Sequence, residues 1–235
     1  MKRLLNNFTK FEKVLWISSV LLIFVSFVIF DRENYLTLFA SILGATFLIF
    51  NAKGNPIGQF LTIVFSILYG VISYGFSYYG EMITYLGMTM PMAFLALVSW
   101  LKNPYGNNRA EVKVNRISKI ETVFVFLLTA IVTLIFYYIL RFFHTANLIP
   151  STVSVTTSFL AVYLTFRRSP YFALAYALND LVLIVLWTVA SMTDISYLSV
   201  VICFIVFFVN DMYGFISWKQ MEKRQEENTH KINRC

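Results

Sequence analysis

Hydrophobic and polar positions are sorted along this chain into long blocks. Eight apolar runs stand out: Val14–Phe30, Tyr35–Phe50, Ile57–Tyr79, Ile83–Leu101, Glu121–Phe143, Ile149–Phe166, Tyr171–Met192 and Tyr197–Trp218. Even the two shortest come close to the roughly 17 residues a helix needs to cross a hydrocarbon core of about 30 Å. The pattern predicts an all-α membrane protein with eight transmembrane helices. Composition agrees, because only 13% of the residues are charged, about half the share in a soluble domain. Too little polar sequence remains to cover a large soluble core.

The polar breaks orient the runs. Of 19 Lys and Arg residues, only Arg32 and Arg141 fall on one side; the N-terminus, the alternate loops and the tail hold the rest. Such a bias places both termini in the cytoplasm of a cell (inner) membrane. It also supports eight crossings, since losing one would break the alternation. The basic residues sit between apolar runs and not on one face, so the net charge of +7 does not point to nucleic acid. The first run follows Lys2, Arg3, Lys10 and Lys13, as in a signal peptide, but it is long and ends at Asp31-Arg32-Glu33 without a small-residue cleavage site. It is expected to be a retained helix. Cys203 and Cys235 form no framework, and His144 and His230 lack ligand companions, so neither a metal nor another cofactor is expected.

Landmarks recur. Pro56 opens the third run and Pro170 the seventh; Ser99-Trp100 closes the fourth and Ser217-Trp218 the eighth. The chain therefore parses as an N-terminal tail and extra helix (1–34), a three-helix bundle (35–102), a cytoplasmic loop and linker helix (103–146), a second three-helix bundle (147–218) and a cytoplasmic tail (219–235). The odd linker helix makes this 3+1+3 layout a parallel repeat, with a site expected between the halves. Asn103-Pro104-Tyr105-Gly106-Asn107 is a turn signal, and the loop that carries it reads as a plain linker. The tail is expected to extend the last helix briefly and then fray.

The polar residues inside the runs carry the functional signal, because they are costly in a bilayer. Asn179-Asp180 and Asn210-Asp211 lie mid-run in consecutive helices. At 1.5 Å per residue both pairs sit about 12–14 Å from the cytoplasmic edge, and Ser66 reaches the same depth. Tyr176, Asp180 and Trp187 share one helical stripe, Phe207, Asp211 and Trp218 another, and Gln59, Ser66 and Ser73 a third. Tyr69, Tyr176, Trp187 and Tyr213 offer flat rings with a hydrogen-bonding edge. The candidate binding residues are Asn179, Asp180, Asn210, Asp211, Tyr176, Trp187, Tyr213, Gln59, Ser66 and Tyr69. No catalytic set accompanies them: Glu81 and Glu121 stand at helix ends, so no enzyme is expected.

On these features the chain resembles the PnuC family of vitamin transporters. The three-one-three layout, Asn179 in the penultimate helix, and Tyr213-Gly214-Phe215 through Trp218 carry the resemblance, from Tyr35 to Trp218. It implies a SWEET-like fold, often trimeric, and facilitated diffusion of an unphosphorylated vitamin or nucleoside held between the bundles. Riboside transporters of this family tend to carry two tryptophans three apart before the Asn or Asp. Here those places hold Phe172 and Ala175, or Ala173 and Tyr176. Nicotinamide riboside leads, with a deoxynucleoside, thiamine or riboflavin as alternatives, and a small channel or non-transporting receptor as the rival class.

Overall fold

The computed structural model describes residues 8–75, 79–106, 108–145 and 147–232. Lys2, Arg3, Asn107, Arg234 and Cys235 lie outside them. Among the described residues, eight helices are long and apolar enough to cross a membrane: α1 (Lys10–Phe30), α2 (Tyr35–Ala52), α3 (Pro56–Gly75), α4 (Tyr79–Lys102), α5 (Lys119–Phe142), α6 (Leu148–Phe166), α7 (Tyr171–Ser191) and α8 (Leu198–Ile232). Each satisfies its own backbone, which the hydrocarbon requires.

Six of them close a ring, in the order α2, α3, α4, α6, α7, α8 and back to α2. The other two stand outside it. α1 lies against α2 and α8, and α5 lies against α6. Both outer helices present rows of exposed apolar side chains, among them Leu21, Val25, Phe126 and Leu134, suited to lipid.

Two seams join the α2–α4 arc to the α6–α8 arc, and each is fastened by a Ser-Trp pair. At the α4–α6 seam, Ser99 Oγ donates to the Phe166 carbonyl (2.9 Å) and Trp100 Nε1 to the Thr165 carbonyl (2.9 Å). At the α8–α2 seam, Ser217 Oγ donates to the Ala52 carbonyl (2.8 Å) and Trp218 Nε1 to the Asn51 carbonyl (2.7 Å). The acceptors are carbonyls that helix ends leave without intrahelical partners. The two indoles meet on the axis, with ring centroids 5.3 Å apart and neither exposed.

The turns that follow α2 and α6 match bond for bond. Gly54 N bonds to Asn51 O and Asn55 N to Phe50 O; Arg168 N bonds to Thr165 O and Ser169 N to Leu164 O. Both turns pass through the left-handed region, Gly54 at φ +63 and Arg168 at φ +58. Gly54 adopts that geometry freely, whereas a residue with a Cβ is strained there by about 1–2 kcal/mol.

The loop after α4 departs from the plain linker the sequence suggests. It folds into a short hairpin, β1 (Pro104–Tyr105) and β2 (Asn108–Val112), and then lies as a strap across both arcs. Val112 N donates to Gly54 O and Asn115 N to Arg168 O, both at 3.0 Å, so the strap touches the same kind of turn on each side. The Val112 side chain is fully buried. The tail also differs from expectation. α8 runs on to Ile232 because the strap holds it: Gln225 Oε1 accepts from Val114 N, and its Nε2 donates to Val112 O. Arg116 adds an ion pair to Glu222 at 3.0 Å.

Trp218→Phe keeps the ring but loses the donor, for an expected cost of about 1–2 kcal/mol. Trp218→Ala also empties the axis, at about 3–5 kcal/mol. Thermal unfolding in detergent should rank wild type above Phe above Ala.

Candidate functional site

The site grows from α7. Successive helical positions turn by about 100°, so Tyr176, Asn179 and Asp180 fall on the side that faces the ring axis. All three line a small cavity of about 40 Å³, together with Asp211 from α8. Every ring helix contributes: Phe47 and Leu48 from α2, Thr62 and Phe65 from α3, Tyr85 and Thr89 from α4, Ser158 from α6, and Phe204 and Phe207 from α8.

Asn179 is fixed by hydroxyls. Its Oδ1 accepts from Ser154 (3.1 Å), Thr157 (2.9 Å) and Ser158 (3.1 Å), all on α6. With the carbonyl so occupied, the amide donor is the group it can offer a solute. Asp180 and Asp211 are each only 5% exposed, and their carboxyl groups lie against one another. Asp180 Oδ2 is buried and receives no hydrogen bond from the protein. Among the described residues, no Lys, Arg or His lines this cavity.

Tyr69 and Trp187 line a second cavity of about 20 Å³, towards the far ends of α3 and α7. Phe65, Phe204 and Phe207 line both cavities and so form the septum between them. Tyr69 and Tyr85 brace it, with ring centroids 4.4 Å apart. Two larger recesses, of about 680 and 640 Å³, lie at the strap end of the molecule, one beside Glu12, Lys53 and Arg224, the other beside Arg116 and Tyr171. Neither contains the midplane acids.

The remaining sequence candidates sit elsewhere. Asn210 Nδ2 donates to Ser19 Oγ on α1 at 2.9 Å, and the Tyr213 hydroxyl donates to Glu12 Oε1 on α1 at 3.1 Å. Asn210 is adjacent to Asp211, but one helical step turns it away from the axis and onto the outer helix. Gln59 Nε2 donates to Asn51 Oδ1 at 2.8 Å, bracing α3 on α2, and Ser66 Oγ donates back to the Thr62 carbonyl of its own helix.

Thr62, Tyr85, Thr89 and Ser158 also line the cavity and are not among the sequence candidates. Thr62 lies one turn from Ser66 on the polar stripe, and Ser158 belongs to the hydroxyl-rich stretch Ser151–Ser158, so both left a signal. Tyr85 and Thr89 did not. They bound a π-helical turn, Tyr85–Thr89, in which Met90 N bonds to Tyr85 O. Pro91 has no N–H to offer, and the widened turn just before it absorbs the irregularity.

The family described as Nicotinamide mononucleotide transporter matches this chain over residues 34–220. Curated relatives include a nicotinamide riboside transporter PnuC of Neisseria mucosa, 27% identical over 95% of this chain and 86% of that protein. Another of the same description, from Haemophilus influenzae, is 21% identical over 90% of this chain and 91% of that protein. Among solved structures, a crystal structure of the vitamin B3 transporter PnuC superposes with a TM-score of 0.80 at 24% identity, covering 93% of this chain and 94% of that one. That last likeness is one of fold. The family match begins at Asn34, so α1 stands before it, whereas the Neisseria alignment spans almost the whole chain.

Phe207 owes its position to Gly44, where an added Cβ would fall 2.1 Å from the ring. Gly44→Ala is therefore expected to overpack the septum by about 1–3 kcal/mol. Adding Phe207→Leu should recover part of the lost thermal stability.

Proposed function

This chain belongs to the nicotinamide mononucleotide transporter family, a multi-pass membrane transporter and not an enzyme, and from that premise we propose that it carries nicotinamide riboside. The observation that carries this reading is the lining of the axial cavity. It offers an amide, hydroxyls, two acids and aromatic walls, and no basic side chain among the described residues. A phosphate group is poorly served there, since it calls for Arg, Lys or a helix N-terminus. An uncharged ribose with a flat ring is well served. The relatives' names, which specify the riboside, point the same way.

In this reading Asn179, Asp180 and Asp211 hydrogen-bond the sugar and ring substituents, and Tyr176 stacks on the ring. Tyr69 and Trp187 lie along the path beyond the septum. Gln59, Ser66, Asn210 and Tyr213 hold the frame. The cavity is too small for a nucleoside as it stands, so binding requires the Phe65, Phe204 and Phe207 rings to swing and merge the two spaces. Thiamine is the second reading. Of the places where riboside transporters carry tryptophan, Phe172, Ala173 and Ala175 pack in the cluster around Trp100 and Trp218, which leaves the stacking to Tyr176.

Transport is read as facilitated diffusion. The two arcs act as repeats that rock about the Ser-Trp seams, with the strap closing the cytoplasmic end. The excess of Lys and Arg at the strap end supports cytoplasmic termini in the cell membrane, and family resemblance supports a homotrimer.

Uptake of labelled nicotinamide riboside into proteoliposomes tests this reading. Wild type is expected to show uptake that internal unlabelled substrate accelerates, as a channel or receptor does not. Asn179→Ala and Asp180→Ala should each abolish uptake at unchanged expression. Normal uptake by both variants overturns the site.

A further inference from the structure

The two recesses at the strap end take no part in the transport reading, and one of them is built for a ligand of its own. It is the space of about 640 Å³ between α5 and α7. Both helices pack on α6, which forms its floor. The walls are apolar: Val125 and Phe126 on α5, Leu160 and Leu164 on α6, Leu174 and Leu178 on α7. From Tyr171 at the mouth to Leu178 is seven residues, so the groove runs about 10 Å into the membrane. Phe126 and Leu178 are exposed, and the groove opens sideways to lipid.

The mouth is basic. The segments around it, 115–122, 167–171 and 219–222, carry Arg116, Lys119, Arg167, Arg168 and Lys219 against Glu121 and Glu222. Arg116 and Lys219 both pair with Glu222, Arg116 also with Glu226, and Arg167 with Glu121. Arg168 pairs with no acid among the described residues. Its Nε is buried and has no acceptor, and the same holds for Asn115 Nδ2. Asn115 lines the recess, and its backbone N–H donates to the Arg168 carbonyl at 3.0 Å, so the two residues sit side by side. Neighbouring buried donors without acceptors call for an acceptor from elsewhere. Burial, and then Arg167 beside it, hold the Arg168 guanidinium below its ordinary pKa. An anion at the mouth relieves both. α7 begins at the same place, and its positive end adds to the field.

The backbone adds an independent argument. The turn after α2 and the turn after α6 match, and each needs one residue in the left-handed region. The first uses Gly54, which is at ease there. The second uses Arg168 at φ +58, where a Cβ is strained. A glycine would serve that turn better, so the arginine side chain contributes something the turn does not require.

We propose that this recess binds an anionic phospholipid of the leaflet at the strap end, its phosphate held by Arg168, Asn115 and Lys219 and an acyl chain lying along Val125, Phe126, Leu174 and Leu178. Basic pockets between membrane helices take such head groups. A free phosphate would satisfy the mouth and leave the apolar walls open. A zwitterionic lipid brings a phosphate together with a cation that the basic mouth repels. Bound between α5 and α7, the lipid fastens the linker helix to the second arc.

Thermal unfolding of the full-length protein, purified in detergent, tests this with three additives: dioleoyl phosphatidylglycerol, dioleoyl phosphatidylcholine and inorganic phosphate. Phosphatidylglycerol at about 100 times its Kd is expected to raise Tm by about 5–10 °C, and the other two by far less. Arg168→Gly should unfold close to the wild-type temperature without lipid, because the turn is relieved of strain, yet lose most of the phosphatidylglycerol shift. Arg168→Lys keeps the charge and should keep most of that shift. Equal shifts by the two lipids at wild type overturn the proposal, and no variant has to fold for that result. A full shift from inorganic phosphate alone assigns the mouth to a free anion and overturns it as well. So does an unchanged phosphatidylglycerol shift in Arg168→Gly. If Leu178→Arg alters the mass of the particle in detergent while the phosphatidylglycerol shift stays at the wild-type value, the recess belongs to a second copy of the chain and the lipid site is ruled out.

Discussion

A bilayer offers no water to a polar group, so backbone carbonyls and amides within it must find their partners inside the protein. The ring of helices is organised around that demand. α2 and α6 end with carbonyls that no fifth residue of their own helix can reach. Ser217-Trp218 and Ser99-Trp100 donate to these carbonyls from across the seam. The groups that would otherwise be a liability thereby become the joints between the two arcs. Because the donors are indoles, the same residues also fill the axis, and Phe172 packs edge-on against Trp218 with centroids 4.9 Å apart.

The same demand explains the outer helix. α1 buries Glu12, whose carboxylate accepts from Lys53 Nζ at 3.0 Å and from the Tyr213 hydroxyl at 3.1 Å. Lys53 follows α2 and Tyr213 lies on α8, so one carboxylate spans the α8–α2 seam from outside. Asn210 and Ser19 form a second link deeper in. The opposite seam, α4–α6, has no such buttress among the described residues. The two seams are therefore alike in their Ser-Trp joints and unlike in their support.

Much of this was legible in the sequence. Block hydrophobicity fixes the number of helices, because a span demands a minimum apolar length. The midplane acids announce themselves by their cost, and Tyr176, Asn179, Asp180 and Asp211 do line one cavity. Other features left less trace. A polar stripe tells which face avoids lipid, but not whether that face meets a cavity or another helix, which is why Gln59 turns out to brace α3 on α2 and Ser66 to bond back to its own helix. Asn210 and Tyr213 depend on where α1 packs, a tertiary choice that adjacent residues do not encode. The strap is built largely from backbone hydrogen bonds, and these leave no side-chain signature in an otherwise ordinary polar loop.

The π-helical turn at Tyr85–Thr89 has a consequence for how α4 moves and how it evolves. One extra residue in a turn rotates everything beyond it by about 100° relative to an unbroken helix. α4 is thus two half-helices in different angular frames, one oriented by Glu81 at its start and the other by Trp100 at its end. A single insertion or deletion within 85–89 would put those frames out of phase, turning either the acid or the indole out to lipid. The turn serves as the phase-setting element of the helix: its length decides which way Glu81 and Trp100 face.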